Sequence, residues 1–232
     1  MHTKHPYSDD TTLLEAFIAH HGNEKRPLVI LSHAWSGRDR FIEEKAQQVA
    51  EWGYVGFALD MYGKGILGKS KEANAALKKP FLEDRRLLQR RLLKAWDVAT
   101  KLPYVDQTKV AVVGFGFGGL CALDLARCGV DLKGAVSVYG HFDHPPKEIS
   151  KPIRGKVLIL HGFNDPIVKV DELKSLDQEL QGVDWRAELY GHTLHAFMNP
   201  AVNNPRAGLQ YHPGSAEQAW NSIGNFLNEL FS

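Results

Sequence analysis

Apolar residues come in short bursts along this chain, and the spacing inside each burst decides what it forms. Leu28 to Ser32 (LVILS) is continuous and largely β-branched or aliphatic, the pattern of a strand buried on both faces. Tyr54 to Leu59, Lys109 to Val113, Gly134 to Tyr139, Lys156 to Leu160 and Trp185 to Tyr190 read as further strands, and Leu13 to Ala19 as a short N-terminal one. Between them the apolar spacing lengthens to helical intervals. Phe41 to Trp52 sets Phe41, Ala46, Val49 and Ala50 on one side, with Gly53 as a stop. Leu82 to Leu102 predicts one long amphipathic helix with an Arg/Lys face, ended by Pro103. Leu120 to Arg127, Glu172 to Leu180 and Ala216 to Leu230 predict three more. Met61 to Lys79 is rich in Gly, Lys and Ala and predicts a loop with some helix, a partial lid. Strand and helix alternate without a repeat, a low-complexity tract or a linker. The expectation is one α/β domain over residues 1–232, a mostly parallel central sheet with helices on both faces.

Composition narrows the function classes. The 232 residues carry 28 Lys plus Arg against 27 Asp plus Glu, a formal net charge of +1. That balance gives no electrostatic footprint for nucleic acid or an anionic membrane. Two cysteines, Cys121 and Cys128, exclude a disulfide scaffold and suit a reducing compartment. Met1 to Asp10 is polar, without the apolar stretch of a signal peptide, and no apolar run is long enough to span a bilayer. The expected location is the cytoplasm, as a monomer or small homo-oligomer.

The densest chemistry lies at Gly114-Phe115-Gly116-Phe117-Gly118-Gly119, between a predicted strand and a predicted helix. Gly114, Gly116 and Gly119 fit the dinucleotide fingerprint G-x-G-x-x-G. That use also needs an acid at the tip of the next strand. The next strand ends near Tyr139 to His141, without one, and Asp131 lies before it. The other reading is the sharp strand-to-helix turn G-x-S-x-G or its cysteine variant, with position 116 as the nucleophile slot. An acid and then a histidine should follow in later loops. Asp165 comes after the strand ending at Leu160, and His195 after the strand ending at Tyr190. The order 116, 165, 195 is that of the α/β-hydrolases. Taken singly, Asp165 could start a turn before Pro166, and His195 could be a packed or surface histidine. The pairs His192/His195 and His141/His144 could suggest a metal, but lack the clustered ligands a metal site needs.

These residues carry a family resemblance. The stretches LSHAWSGRDRFIEEKA, GYVGFALDMYGKG, VAVVGFGFGG, LHGFNDPIV, YGHTLHAFMNP and AEQAWNSIGNFL resemble the dienelactone hydrolase family, from about Leu28 to Phe231. The resemblance implies an α/β-hydrolase fold, action on a small carboxylester or lactone, and no metal or organic cofactor. The family turn reads G-x-C-x-G-G, so it implies that Gly116 occupies the nucleophile position, with Asp165 as orienting acid and His195 as base. It implies an oxyanion hole from the N–H groups of Phe117 and, by ungapped match, Trp35. The founding type has a glutamate beside its first main strand; here the comparable position is Ala34, so thiol activation by that group does not carry over. His33 is the nearest substitute. Tyr62, Arg86 and Tyr211 are the expected substrate-binding side chains, with Arg85 and Arg206 as further cations in suitable regions.

Glycine at 116 has no side chain and forms no acyl-enzyme. Cys121, more than a turn into the following helix, is expected to pack against the sheet, out of reach. Three readings stay open: a hydrolase whose Ser or Cys has been replaced, a non-catalytic binder of carbonyl ligands, or a site where His195 activates water directly.

Overall fold

The computed structural model describes residues 1–232. Strands β1 (His2–Asp9) and β2 (Thr12–Ala19) form an antiparallel hairpin at one edge of the sheet. Then come β3 (Arg26–Ser32), helix α1 (Arg40–Glu51), β4 (Val55–Ala58), helices α2 (Lys71–Glu83) and α3 (Arg85–Thr100), β5 (Val105–Phe115) and α4 (Phe117–Arg127). The chain closes with β6 (Gly134–Val138), β7 (Lys156–Gly162), α5 (Leu173–Glu179), β8 (Trp185–Tyr190) and α6 (Pro213–Phe231). Eight strands form one sheet in the order β1-β2-β4-β3-β5-β6-β7-β8. From β4 to β8 every pairing is parallel, and only β2 runs against the rest, antiparallel to both β1 and β4.

The period of two along the strands makes both faces apolar. In β3, Leu28 and Ile30 face a core with Leu88, Leu92 and Ala95 of α3 and Leu120 and Leu123 of α4. Val29 and Leu31 face the opposite core, with Ile42, Ala46 and Val49 of α1 and Ala219, Ile223 and Phe226 of α6. Parallel strands require crossovers, and the crossover helices cover both faces. Ile30 is fully buried beneath α3 and α4. Ile30→Val, which removes one methylene there, should cost about 0.5–1.5 kcal/mol in a denaturant melt and leave the fold unchanged.

Two expectations need correction. The helical part of the Met61 to Lys79 loop runs on as α2 to Glu83, and the helix expected over Leu82 to Leu102 is α3, which starts only at Arg85. Asp84 breaks them apart. Its backbone is extended (φ −121°, ψ 92°), and its carboxylate accepts hydrogen bonds from the Arg86 and Leu87 N–H groups, capping α3. Strand β1 has no apolar alternation to announce it, being nearly all polar. It is held by its ladder to β2, with Tyr7 and Asp9 as its buried side chains.

Candidate active site

Parallel sheets of this kind place ligand sites at the C-terminal ends of their strands. There β5 ends at Phe115, and Gly116 reverses the chain into α4. Its backbone (φ 56°, ψ −115°) lies in a region that side chains rarely adopt. Gly114 lets the turn close, since a Cβ on it would lie 1.8 Å from the Gly118 carbonyl oxygen. Position 116 is different. A Cβ there would meet nothing nearer than Tyr139 Cε2 at 3.7 Å and His195 Nε2 at 3.8 Å. The turn strains the backbone, yet its tip has room for a side chain facing the histidine.

Asp165 and His195 arrive from the loops after β7 and β8. His195 Nδ1 donates to Asp165 Oδ2 at 2.7 Å. The other carboxylate oxygen accepts the Ile167 and Val168 N–H groups at 2.8 and 3.0 Å, while His161 Nε2 donates to the Val168 carbonyl at 2.8 Å. Burial alone would raise the Asp165 carboxyl. The hydrogen bond and charge of His195, with the two backbone donors, outweigh it and hold the group below its ordinary range. With Nδ1 as donor, Nε2 is left with its lone pair on the Gly116 side. Tyr139 packs edge-on to the imidazole at 5.2 Å between centroids. The His195 N–H donates to the Gly208 carbonyl at 3.0 Å, fixing the backbone behind the ring. Tyr139 (φ 39°) and Ala196 (φ 59°) also hold left-handed backbone, so strain gathers around this histidine.

The lowered Asp165 carboxyl has a signed consequence for pH. Its contribution to stability is present above about pH 4, the ordinary carboxylate range, and is lost as pH falls through the lower folded value. Asp165→Asn should therefore flatten the acid limb of a Tm-against-pH curve, measured by circular dichroism from pH 6 to 2.

Opposite the histidine lies the turn after β3. The Trp35 N–H has no partner within the protein, and Phe117 supplies the first N–H of α4, which has no intrahelical acceptor. Both residues line the same pocket as Gly116 and His195. Three bonds brace this turn. His33 Nδ1 donates to the Ala34 carbonyl at 2.6 Å, the Met61 N–H donates to His33 Nε2 at 3.2 Å, and the Tyr62 hydroxyl donates to the Trp35 carbonyl at 3.1 Å. Burial pushes the His33 imidazole down, in keeping with an Nε2 that accepts.

The pocket encloses about 310 Å³. Trp35, Phe117, Tyr139, Ile167, Val202 and Leu209 give it apolar walls. Among the expected substrate-binding residues, none lines it directly. Tyr62 lies behind the wall, against Phe117 and His33. Arg86 is exposed on the outer side of α3: that helix buries Arg85, Leu88, Gln89, Arg91 and Leu92, and the step from Arg85 to Arg86 turns the side chain outward. Tyr211 packs against the α1/α6 core. Arg85 is paired with Asp124 inside the protein, and Arg206 is exposed. Cys121 is fully buried in the core, where burial pushes its thiol far up.

Ser36, Asn74, Lys78, His141 and Asn199 also line the pocket, and no sequence signal places any of them in it. Lys78 is half-buried with its ammonium 5.5 Å from the Trp35 ring centre, and burial lowers it. Burial also lowers His141, aided by Lys78 and His195. His144, three residues on, faces Glu179 at 3.3 Å instead, and His192 is exposed.

The sequence model of the dienelactone hydrolase family matches residues 14–231. The chain belongs to the dienelactone hydrolase family. Its sheet and helices are those of the α/β-hydrolase fold. A solved dienelactone-hydrolase-like promiscuous phosphotriesterase, P91, from metagenomic libraries is 28% identical over 100% of this chain and 99% of that one, with a TM-score of 0.95. The structure called m3DLH is 30% identical over the same shares, also with a TM-score of 0.95. A Saccharolobus solfataricus protein named as a candidate carboxymethylenebutenolidase is 24% identical over 97% of both chains.

Proposed function

We propose that the pocket is a hydrolase site for small carboxylesters or lactones in which Gly116 stands at the nucleophile position, leaving the chain weakly active or inactive by itself. One observation carries this reading. Position 116 has room for a side chain 3.8 Å from the free nitrogen of a histidine whose other nitrogen is held by a carboxylate. Those are the parts of a nucleophile, a base and an orienting acid, minus the nucleophile.

The covalent route is closed to glycine, and the remaining route uses water. His195 Nε2 takes a proton as water attacks the carbonyl, Asp165 stabilises the imidazolium, and the Trp35 and Phe117 N–H groups hold the oxyanion. His195 then returns the proton to the departing alkoxide. Sites stripped of a triad member keep roughly a thousandfold or more over water, so this route is slow but measurable.

The test compares this chain with Gly116→Cys and Gly116→Ser on a small activated ester, with His195→Ala placed in the faster background. A large gain that His195→Ala abolishes supports the reading. Folded but inert variants would overturn it and leave a carbonyl-binding protein, the reading favoured by the bare Gly116 itself.

A further inference from the structure

Glycine at position 116 removes a side chain but leaves the machinery that would activate one. The space it opens is bounded by the free nitrogen of His195 at 3.8 Å and by the Cε2 and Cδ2 edge of Tyr139 at 3.7 and 3.8 Å, all measured from the Cβ that is not there. It opens onto a pocket of about 310 Å³, large enough for an ester and a second small molecule. The chain cannot fill the space with its own sulfur. Cys121 and Cys128 are both buried in or against the core, and burial raises both thiols.

We propose that the space at Gly116 takes a small external thiol as a second substrate, so that the protein transfers an acyl group from an ester to that thiol. The inference rests on the ester-site reading above and adds the nucleophile which that reading lacks.

A thiol suits this space better than water on two physical grounds. A free thiol ionises near pH 8.5 and bulk water near 15.7, so an imidazole needs to do far less to generate a thiolate than a hydroxide. Sulfur also gains from contact with an aromatic edge, which is what Tyr139 presents at this point, whereas water gains nothing there. The step balances without an oxidant or reductant. The thiol proton passes to His195 Nε2 as sulfur attacks the carbonyl carbon and a C–S bond forms. The oxyanion rests on the Trp35 and Phe117 N–H groups. The acyl C–O bond then breaks, His195 gives its proton to the leaving alkoxide, and a thioester and an alcohol depart.

The experiment uses the unmodified protein with 4-nitrophenyl acetate and a titration of 2-mercaptoethanol, read by nitrophenol release and by mass spectrometry of the thioester. The expected result is a rate about a hundredfold above protein without thiol, after subtraction of the uncatalysed thiolysis. The gain should saturate with thiol concentration, yield the thioester, and vanish in His195→Ala. Ethylene glycol, the matching alcohol, should produce no such gain. Gly116→Ala, which puts a methyl group into the space, should weaken the thiol effect. Thiol dependence no greater than the uncatalysed reaction, or unchanged by His195→Ala, would overturn the proposal. Gly116→Cys separates the two failures. If it hydrolyses the ester without thiol while the unmodified protein ignores thiol, only the transfer proposal falls. If both are inert, the ester-site reading falls with it.

Discussion

Gly116→Cys should raise kcat/KM on a small activated ester by about 10³-fold or more. In a serine protease, removal of the nucleophile costs about 2 × 10⁶ in kcat, and a restored thiol should recover a substantial part of such a loss. Three features set the direction. The new Cβ meets only ordinary contacts, with Tyr139 and His195 at 3.7–3.8 Å. His195 already donates Nδ1 to Asp165 at 2.7 Å, which leaves Nε2 free to take the thiol proton. Phe117 and Trp35 already line the same pocket. The gain has a structural cost. At φ 56° and ψ −115° a side chain strains the backbone by about 1–3 kcal/mol, so the variant should be more active and less stable. Steady-state kinetics and a thermal melt on the same preparation check both halves.

The second large effect lies in a buried charge cluster joining α3, α4 and α5. Asp124 on α4 is fully buried and holds two arginines. Arg85 reaches it through two bonds at 2.9 and 2.6 Å, and Arg127 through one at 3.0 Å. Arg127 continues to Glu179 on α5 at 2.8 and 2.7 Å, and both arginines donate to the Asp143 carbonyl at 3.1 Å. The cluster thus joins three helices to the loop that carries Tyr139 and His141 to the pocket. Asp124→Ala leaves the Arg85 guanidinium without its carboxylate in a buried site, at a cost of about 3–5 kcal/mol. For a chain of this size that lowers Tm by roughly 10 °C, at about 2–4 °C per kcal/mol. Asp124→Asn, which keeps an acceptor but loses the charge, should fall in between. A melt unchanged by Asp124→Ala would mean that the cluster contributes little to holding the fold.

Much of this arrangement was legible in the chain because its signals are local. LVILS reads as a doubly buried strand, and β3 contacts both cores. The glycine turn, the acid and the histidine follow one another in chain order, each after a strand, so their convergence could be expected from topology. The break at Asp84 was harder. Phe81 and Leu88, seven apart and both buried, continue a helical spacing across it, and only the extended backbone at Asp84 shows that the helix stops and restarts. β1 offered no apolar alternation, because its stability comes from backbone pairing at a sheet edge. Lys78 carried no signal either, and the His141/His144 spacing pointed to a metal rather than to the pocket wall. Lys78 and His141 come from α2 and from the loop after β6, and no spacing rule connects them. Arg86 failed as a pocket residue for a simpler reason, since one step along a helix turns a side chain through about 100°.

Every role proposed for Asp165 and His195 requires position 116 to be where a nucleophile belongs. The most direct measurement is intact-protein and peptide mass spectrometry of Gly116→Cys, acid-quenched during turnover of a small activated acetate ester. A single acetyl group at position 116, absent from the unmodified protein and formed far more slowly when His195→Ala is added, is the predicted result. An acetyl group at Cys121 or Cys128 instead, or none at position 116 in a folded variant, would contradict the account.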